Sequence, residues 1–477
     1  MQRYEPVKLI VKRQIPKLVP GVLTDPTRRL TRKLPVSHVF IASAYYYPKS
    51  LSLGDNAIAL NFLVDSVNRN INQATFLIVG SNSTHQKSTI ARTQMEPSES
   101  CRYATAVAIT NNMENMTKLE IESDDVKIQI PFKVAKQKVA KPVIFCFSPQ
   151  SLAEKWQLFT MHVHMSRRFG AHIHIYITSI LESYFELMKE YENHGYITID
   201  FWLKMKFPET TSPYFEPNVN TELANRAGAY TDCLLQYKEA AKYIAFLDLE
   251  DFIFPAMRTS FLREFNAEFE FQMSASSLYY PRRDHGLIRA KSLAEFSIYD
   301  AIGSLKTLSS LNGQGKVVVK PHRLNSTGII GSSYENVKDR YTVKNNWIVH
   351  IPSSGHEIKT TTEISIKPIE GRIRPKDLVA IEENVWVMRN NTIIRQIATR
   401  LPKFDFYSPI VAKCLSSTVA AGPGKDCPNS EVCDLPQRED FKCVHSDAEF
   451  LSGPHMEPFT FHFANNSYWS YSVGCSQ

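Results

Sequence analysis

The stretch KYIAFLDLEDFIFP, Lys242 to Pro255, decides how the middle of the chain is read. An apolar run from Tyr243 to Leu247 ends in Asp248, Glu250 and Asp251, then turns apolar again at Phe252. Charged side chains are rarely buried without a partner. The run therefore reads as a buried strand whose carboxyl end meets either solvent or a ligand. Asp248 and Glu250 holding one hard cation is the functional reading, since Mg²⁺ and Mn²⁺ favour carboxylate and phosphate oxygens. Carboxylates capping a turn before Phe252 is the plain structural one.

Working upstream, strands alternate with helices. PVIFCFS (Pro142–Ser148) is a buried-strand pattern. Ser151 and Glu154 have capping-box spacing, and Leu152, Trp156, Phe159 and Val163 follow at helical intervals up to Gly170. AHIHIYITS (Ala171–Ser179) is the next strand. A helix then carries Leu181, Tyr184, Phe185, Met188 and Tyr191 and stops at His194-Gly195. YITIDFWL (Tyr196–Leu203) is a third strand, and a helix over 221–241 leads into YIAFLDLED. This order predicts an α/β unit with a largely parallel sheet and a ligand site beyond the carboxyl ends of its strands, where Asp248 falls.

Outside this unit the character changes. His38–Tyr47, Ala74–Ser81, Tyr103–Thr110 and Val126–Val134 are β-rich, and Val134–Pro142 reads as a linker. Beyond residue 400 lie Cys414, Cys427, Cys433, Cys443 and Cys475, with no C-x-x-C pair. That spacing suits disulfides better than zinc. Five is odd, so one of them pairs elsewhere or stays free. Cys233 reads as a small buried hydrophobe. The expected domains are a basic arm (1–35), a β-rich domain (36–140), the α/β domain (141–400) and a cysteine-rich tail (401–477).

A length of 477 residues favours more than one core, and 43% hydrophobic with 22% charged residues is a globular composition. The net charge of +7 is concentrated at the front, where Arg3, Lys8, Lys12, Arg13, Lys17, Arg28, Arg29, Arg32 and Lys33 face only Glu5 and Asp25. A solvated arm is the reading preferred over a juxtamembrane or acidic-partner contact. No basic-aromatic pattern follows it, which argues against a nucleic-acid partner and against a nuclease. No run of about 18 apolar residues and no signal-peptide pattern occurs, so the sequence taken alone reads as soluble. Eight cysteines and five N-x-[ST] sequons, at Asn82, Asn115, Asn325, Asn390 and Asn465, point instead to the secretory pathway.

CFSPQSLAEKWQLF, FGAHIHIYITS, LMKEYENHGYITIDFW, TDCLLQYKEAAKYIAFLDLEDFIFP and GKVVVKPHRLNST, spread over Pro142 to Pro352, resemble glycosyltransferase family 92, the nematode-rich DUF23 group, in order and spacing. The resemblance implies a GT-A-like fold with a Rossmann-like nucleotide-binding half and a metal-binding D-x-D. It implies inverting transfer of galactose from UDP-galactose to a glycan or glycoprotein acceptor in the Golgi, usually by a membrane-anchored enzyme, although no anchor is visible here. Under it, Asp248, Glu250 and His350 are the expected ligands of Mn²⁺ or Mg²⁺. Asp251, Asp232 and Trp202 are expected at the UDP-sugar, Trp202 equally readable as core packing. His356 is a lesser competitor of His350.

The chain departs from the family pattern. It reads D-x-E-D where the family has D-x-D-E. GIIGSS (Gly328–Ser333) replaces a segment with a Trp and a His, and His350-Ile351-Pro352 stands for His-Tyr-Arg. These changes keep open an alternative, a degenerate member that binds glycan or protein without catalysis. Inverting transfer needs a general base. Asp284, Glu335 and Asp339 are downstream acids, none selected by the sequence, and all read as surface charges.

Overall fold

Val143, Phe145 and Phe147 face one hydrophobic cluster and Ile144 and Cys146 another, and all five are buried. A strand covered on both faces must sit inside a sheet flanked by other layers. In the computed structural model this strand is the centre of the α/β unit. The structure describes residues 22–23, 32–68, 71, 76–98, 100–123, 126–208, 213–256, 259–308, 313–353, 373–420, 427–453 and 459–475. Most of the basic arm and His356 lie outside the described residues.

In chain order, the elements that frame the site begin with β1 (Ser37–Tyr47), β2 (Ala57–Asp65), β3 (Tyr103–Asn111), β4 (Val143–Gln150), α1 (Trp156–Phe169), β5 (Ala171–Ile177), α2 (Glu182–Asn193) and β6 (Ile197–Phe201). They continue with α3 (Arg226–Tyr237), β7 (Tyr243–Leu247), β8 (Asp251–Phe252), β9 (Ser277–Tyr280), β10 (Lys316–Val319), β11 (Ile348–His350), α4 (Tyr407–Ala420), β12 (Lys442–Ser452) and β13 (Phe459–Val473).

The central sheet runs β6-β5-β4-β7-β10-β9 and ends on Arg340–Thr342. The first four strands are mutually parallel, as the alternating pattern predicts. β10 is antiparallel to both β7 and β9. The chain steps outward from β4 to β5 and β6, then returns to place β7 on the other side of β4. Strand order therefore reverses between β4 and β7, and a crevice opens at their carboxyl ends.

The second sheet is assembled from both ends of the chain. β1 pairs antiparallel with β2 and parallel with β13, while β12 pairs with β13 and with Ser179–Leu181. Residues 442–452 and 459–473 of the cysteine-rich region are thus strands in the sheet that β1 to β3 build. The sequence reading passed over β2: AIALNFLVD is buried at every position, so it lacks the alternation that marks a half-buried strand.

Two helix starts differ from expectation. α1 begins at Trp156, and the Ser151/Glu154 capping box does not form. The Glu154 carboxylate instead accepts the backbone N–H groups of Phe406 and Ser408, at 2.8 and 2.7 Å, holding the start of α4. α3 begins only at Arg226, because Leu223, Ala224 and Asn225 are left-handed, with φ of 47°, 56° and 57°. Such non-glycine residues cost of order 1–3 kcal/mol each and persist only where surroundings hold them. Here Leu223 N–H donates to Pro428 O at 2.9 Å, and the Thr105 hydroxyl donates to Asn225 Oδ1 at 3.0 Å. α1 does end at left-handed Gly170, as its sequence predicts.

All eight cysteines are paired: Cys101–Cys427, Cys146–Cys233, Cys414–Cys433 and Cys443–Cys475. Cys427 is the tail cysteine that pairs elsewhere. The reading of Cys233 as a lone hydrophobe is corrected, because α3 packs on β4 and leaves Cys146 and Cys233 with Cα atoms 6.2 Å apart. Four disulfides require an oxidising compartment of the secretory type. None of the five sequon asparagines is buried. Among the described residues, no helix is long and apolar enough to cross a membrane.

Candidate functional site

The crevice between β4 and β7 is a cavity of about 290 Å³. Its wall carries Ser148 at the end of β4, Lys155 before α1, Arg226 at the start of α3, Asp248 and Glu250 after β7, and His350 at the end of β11. Val411 and Leu415 of α4 close the apolar side.

Three of these side chains converge through the turn after β7. Asp248 Oδ2 accepts Arg226 Nη1 at 2.8 Å and Lys316 Nζ at 2.7 Å, while Oδ1 accepts the Tyr230 hydroxyl at 3.0 Å. Burial pushes the Asp248 carboxyl up, but Arg226 and Lys316 outweigh it and hold the group well below the usual carboxylate range. Glu250 is ion-paired with Lys155 and accepts the Ser353 hydroxyl at 3.2 Å. Burial opposes its ionisation, and Lys155 prevails, drawing it down to about 2.

Asp251 sits behind the wall, buried. β8 pairs with β11 so that Asp251 faces His350, whose Nδ1 lies 2.7 Å from Asp251 Oδ1. Asp251 Oδ2 accepts the Asp248 backbone N–H at 3.3 Å. These contacts orient the turn and the imidazole.

The structure does not bring Asp232 and Trp202 to this cavity. Asp232 lies six residues after Arg226, a rotation of about 240° around α3, so the two point to different sides. Its carboxylate accepts the Tyr45 and Tyr176 hydroxyls. Trp202 is buried, donates Nε1–H to Ala224 O at 2.9 Å and packs edge-on against Tyr176. Both line a second cavity of about 270 Å³, between the two sheets.

The downstream acids are not surface charges either, with Asp339 the exception. Asp284 is buried against Arg282, and Glu335 is ion-paired with Arg340 with its side chain 1% exposed. Neither lines the crevice: Glu335 is held by Arg340 of the edge strand Arg340–Thr342, and Asp284, on a strand parallel to β11 and opposite His350 in register, is turned onto Arg282.

A metal at Asp248, Glu250 and His350 is a poor fit to these side chains as they stand. Both oxygens of Asp248 are engaged, Glu250 is held by an ammonium, and His350 is turned by Asp251. Among the described residues, no group of three or more His, Cys, Asp or Glu side chains is placed to hold one metal ion. Sequence reasoning missed the cations responsible, Lys155, Arg226 and Lys316. Each stands at an element boundary with nothing in its neighbourhood to mark it, and Lys316 meets Asp248 across 68 residues.

Comparison with known proteins bears on the whole arrangement. The family model described as Glycosyltransferase family 92 matches residues 141–389. The Caenorhabditis elegans protein named Glycosyltransferase family 92 protein ZK381.2 is 46% identical over 469 residues, spanning 96% of this chain and 93% of its own. F55C10.4 of the same family and organism is 38% identical over 473 residues, spanning 92% and 91%. Among solved structures, S. aureus TarS 1-349 overlaps 55% of this chain and 69% of its own at 12% identity, with a TM-score of 0.24. The mannosyltransferase PcManGT from Pyrobaculum calidifontis, in complex with GDP-Man and Mn²⁺, overlaps 60% and 78% at 10% identity, with a TM-score of 0.26. At such scores neither overlap transfers a residue or a ligand.

Proposed function

The chain belongs to glycosyltransferase family 92, and on that premise we propose that it moves a hexose, galactose from UDP-galactose first among donors, to a glycan acceptor in the Golgi lumen. The observation that carries this reading is the crevice where β4 and β7 diverge, the place an α/β sheet offers a nucleotide. It is walled by ionised Asp248 and Glu250 and by the cations Lys155 and Arg226.

In the proposed reaction the acceptor oxygen attacks the sugar C1 on the face opposite the diphosphate. The C1–O bond breaks, its electron pair leaves on the phosphate oxygen, and the acceptor's proton passes to a general base on the acceptor side of the sugar. Inversion at C1 follows. Lys155 and Arg226 face the charge that develops on the leaving oxygen, and fixed charges in a cavity with little water act strongly on such a change. Asp248 and Glu250 hold those cations in place. Asp251 keeps His350 and the turn in register. Val411 and Leu415 exclude water from one side.

A donor screen with product analysis tests this reading. UDP-galactose turnover that falls in Arg226→Ala supports it. A folded wild-type protein that binds glycan yet turns over no nucleotide sugar would put the non-catalytic alternative in its place.

A further inference from the structure

The crevice wall is rich in hydrogen-bond donors. Three carboxylates, Asp248, Glu250 and Asp251, are matched by Lys155, Arg226 and Lys316. Two donors in its wall have no partner at all. Arg226 Nε and Ser151 Oγ are buried and unbonded, and both residues line the cavity. A buried donor left unmade costs about 1–3 kcal/mol, so such groups imply a ligand that accepts hydrogen bonds. A divalent cation accepts none. It would also meet three fixed positive charges, and it would have to detach Lys316, which is buried, from Asp248. A phosphate oxygen answers every one of these features. It takes the Arg226 Nε–H, the Ser151 hydroxyl and the one N–H of Lys155 not already given to Glu250 and Ser353, the Lys155 side chain being 11% exposed at the cavity.

We infer that the side-chain cations Lys155 and Arg226, backed by Lys316, bind the donor diphosphate directly, so that nucleotide binding at this site needs no divalent metal. This rests on the glycosyltransfer reading and deepens it. The acids of the D-x-E-D turn then serve as anchors for the cations. Asp248 fixes Arg226 and Lys316, and Glu250 fixes Lys155.

The test is calorimetric titration of UDP into the full chain, once with excess EDTA and once with Mn²⁺, for wild type, Lys155→Met and Arg226→Lys. Arg226→Lys keeps the charge and removes the Nε donor. Thermal unfolding of each variant checks that it is folded. The expected result is UDP binding in EDTA, within about threefold of its strength with Mn²⁺, and weaker by about tenfold or more in both variants. Binding that appears only with Mn²⁺ overturns the inference and leaves the glycosyltransfer reading intact. Metal-free binding that neither variant weakens also overturns it. No UDP binding under either condition removes both.

Discussion

Lys316 Nζ lies 2.7 Å from Asp248 Oδ2 and 3.4 Å from Asp251 Oδ2, so one ammonium on the first residue of β10 ties both ends of the turn after β7. The turn brings two carboxylates together at the end of a buried strand, and without Lys316 they would repel one another. The pairing depends on β10 running antiparallel beside β7.

Removing one member of this cluster should hurt more than removing two. Asp248→Ala leaves Lys316 and Arg226 without their shared partner and is expected to destabilise the fold by about 3–5 kcal/mol. Asp248→Ala combined with Lys316→Met should recover part of that loss. Urea unfolding of the two single variants and the double variant closes the cycle. Strictly additive losses would show that the pair is not coupled.

Donor turnover should depend steeply on Arg226. Arg226→Ala is expected to lower the turnover of whichever nucleotide sugar the wild type uses by about 10²–10³, the usual effect of deleting one fixed donor facing developing charge. The unfolding midpoint should move far less than in Asp248→Ala. Initial rates with saturating donor decide this, and an unchanged rate would exclude Arg226 from the leaving-group side.

Acid should destabilise the protein in two stages. Burial holds His162 down at about 3, with Nε2 bonded to Leu249 O at 2.9 Å and the ring stacked on Phe252. His164 and His462 are likewise pushed down by burial, to about 4 and about 3. The fold keeps these rings neutral while the unfolded chain protonates them from about pH 6.5. Their contribution is therefore full above that pH and is lost as pH falls toward 3. Glu250, depressed to about 2, adds a second loss that begins near its unfolded value of 4.5. Unfolding free energy measured against pH should decline from about 6.5 and steepen below about 4.5. His162→Phe should reduce the slope of the first stage by about one proton.

The Cys146–Cys233 bridge closes a loop with a sequence separation of 87, from β4 to the helix that carries Arg226. Replacing both cysteines with alanine is expected to lower stability by about 2–5 kcal/mol. Because α3 presents Arg226 to the crevice, UDP binding should weaken in the same variant at temperatures where it is still folded. Calorimetry alongside thermal unfolding separates the two effects. Unweakened binding would mean that α3 is held by packing alone.

What the sequence by itself determined is local and periodic. The parallel strands β4 to β7, the helix stops at Gly170 and His194, and Asp248 at a strand's carboxyl end all follow from short-range pattern, because a buried strand, a left-handed stop and a charged strand end are written within a few residues. Family membership was legible for the same reason, in the order of those segments. Only the tertiary structure decided the rest. β2 is buried on both faces because the strands Leu77–Ser81, Lys118–Ser123 and Val126–Ile130 pack on one side and α3 on the other, and no window of sequence contains those partners. β12 and β13 close a sheet begun some 400 residues earlier. Asp232 and Trp202 sit in a different cavity because helix rotation and strand order set which side each faces. The cations that occupy the acid turn come from three separate elements. A carboxylate's partner is fixed by distance in space, and from the sequence Asp248 and Glu250 read as ligands because Lys155, Arg226 and Lys316 were too far along the chain to be seen beside them.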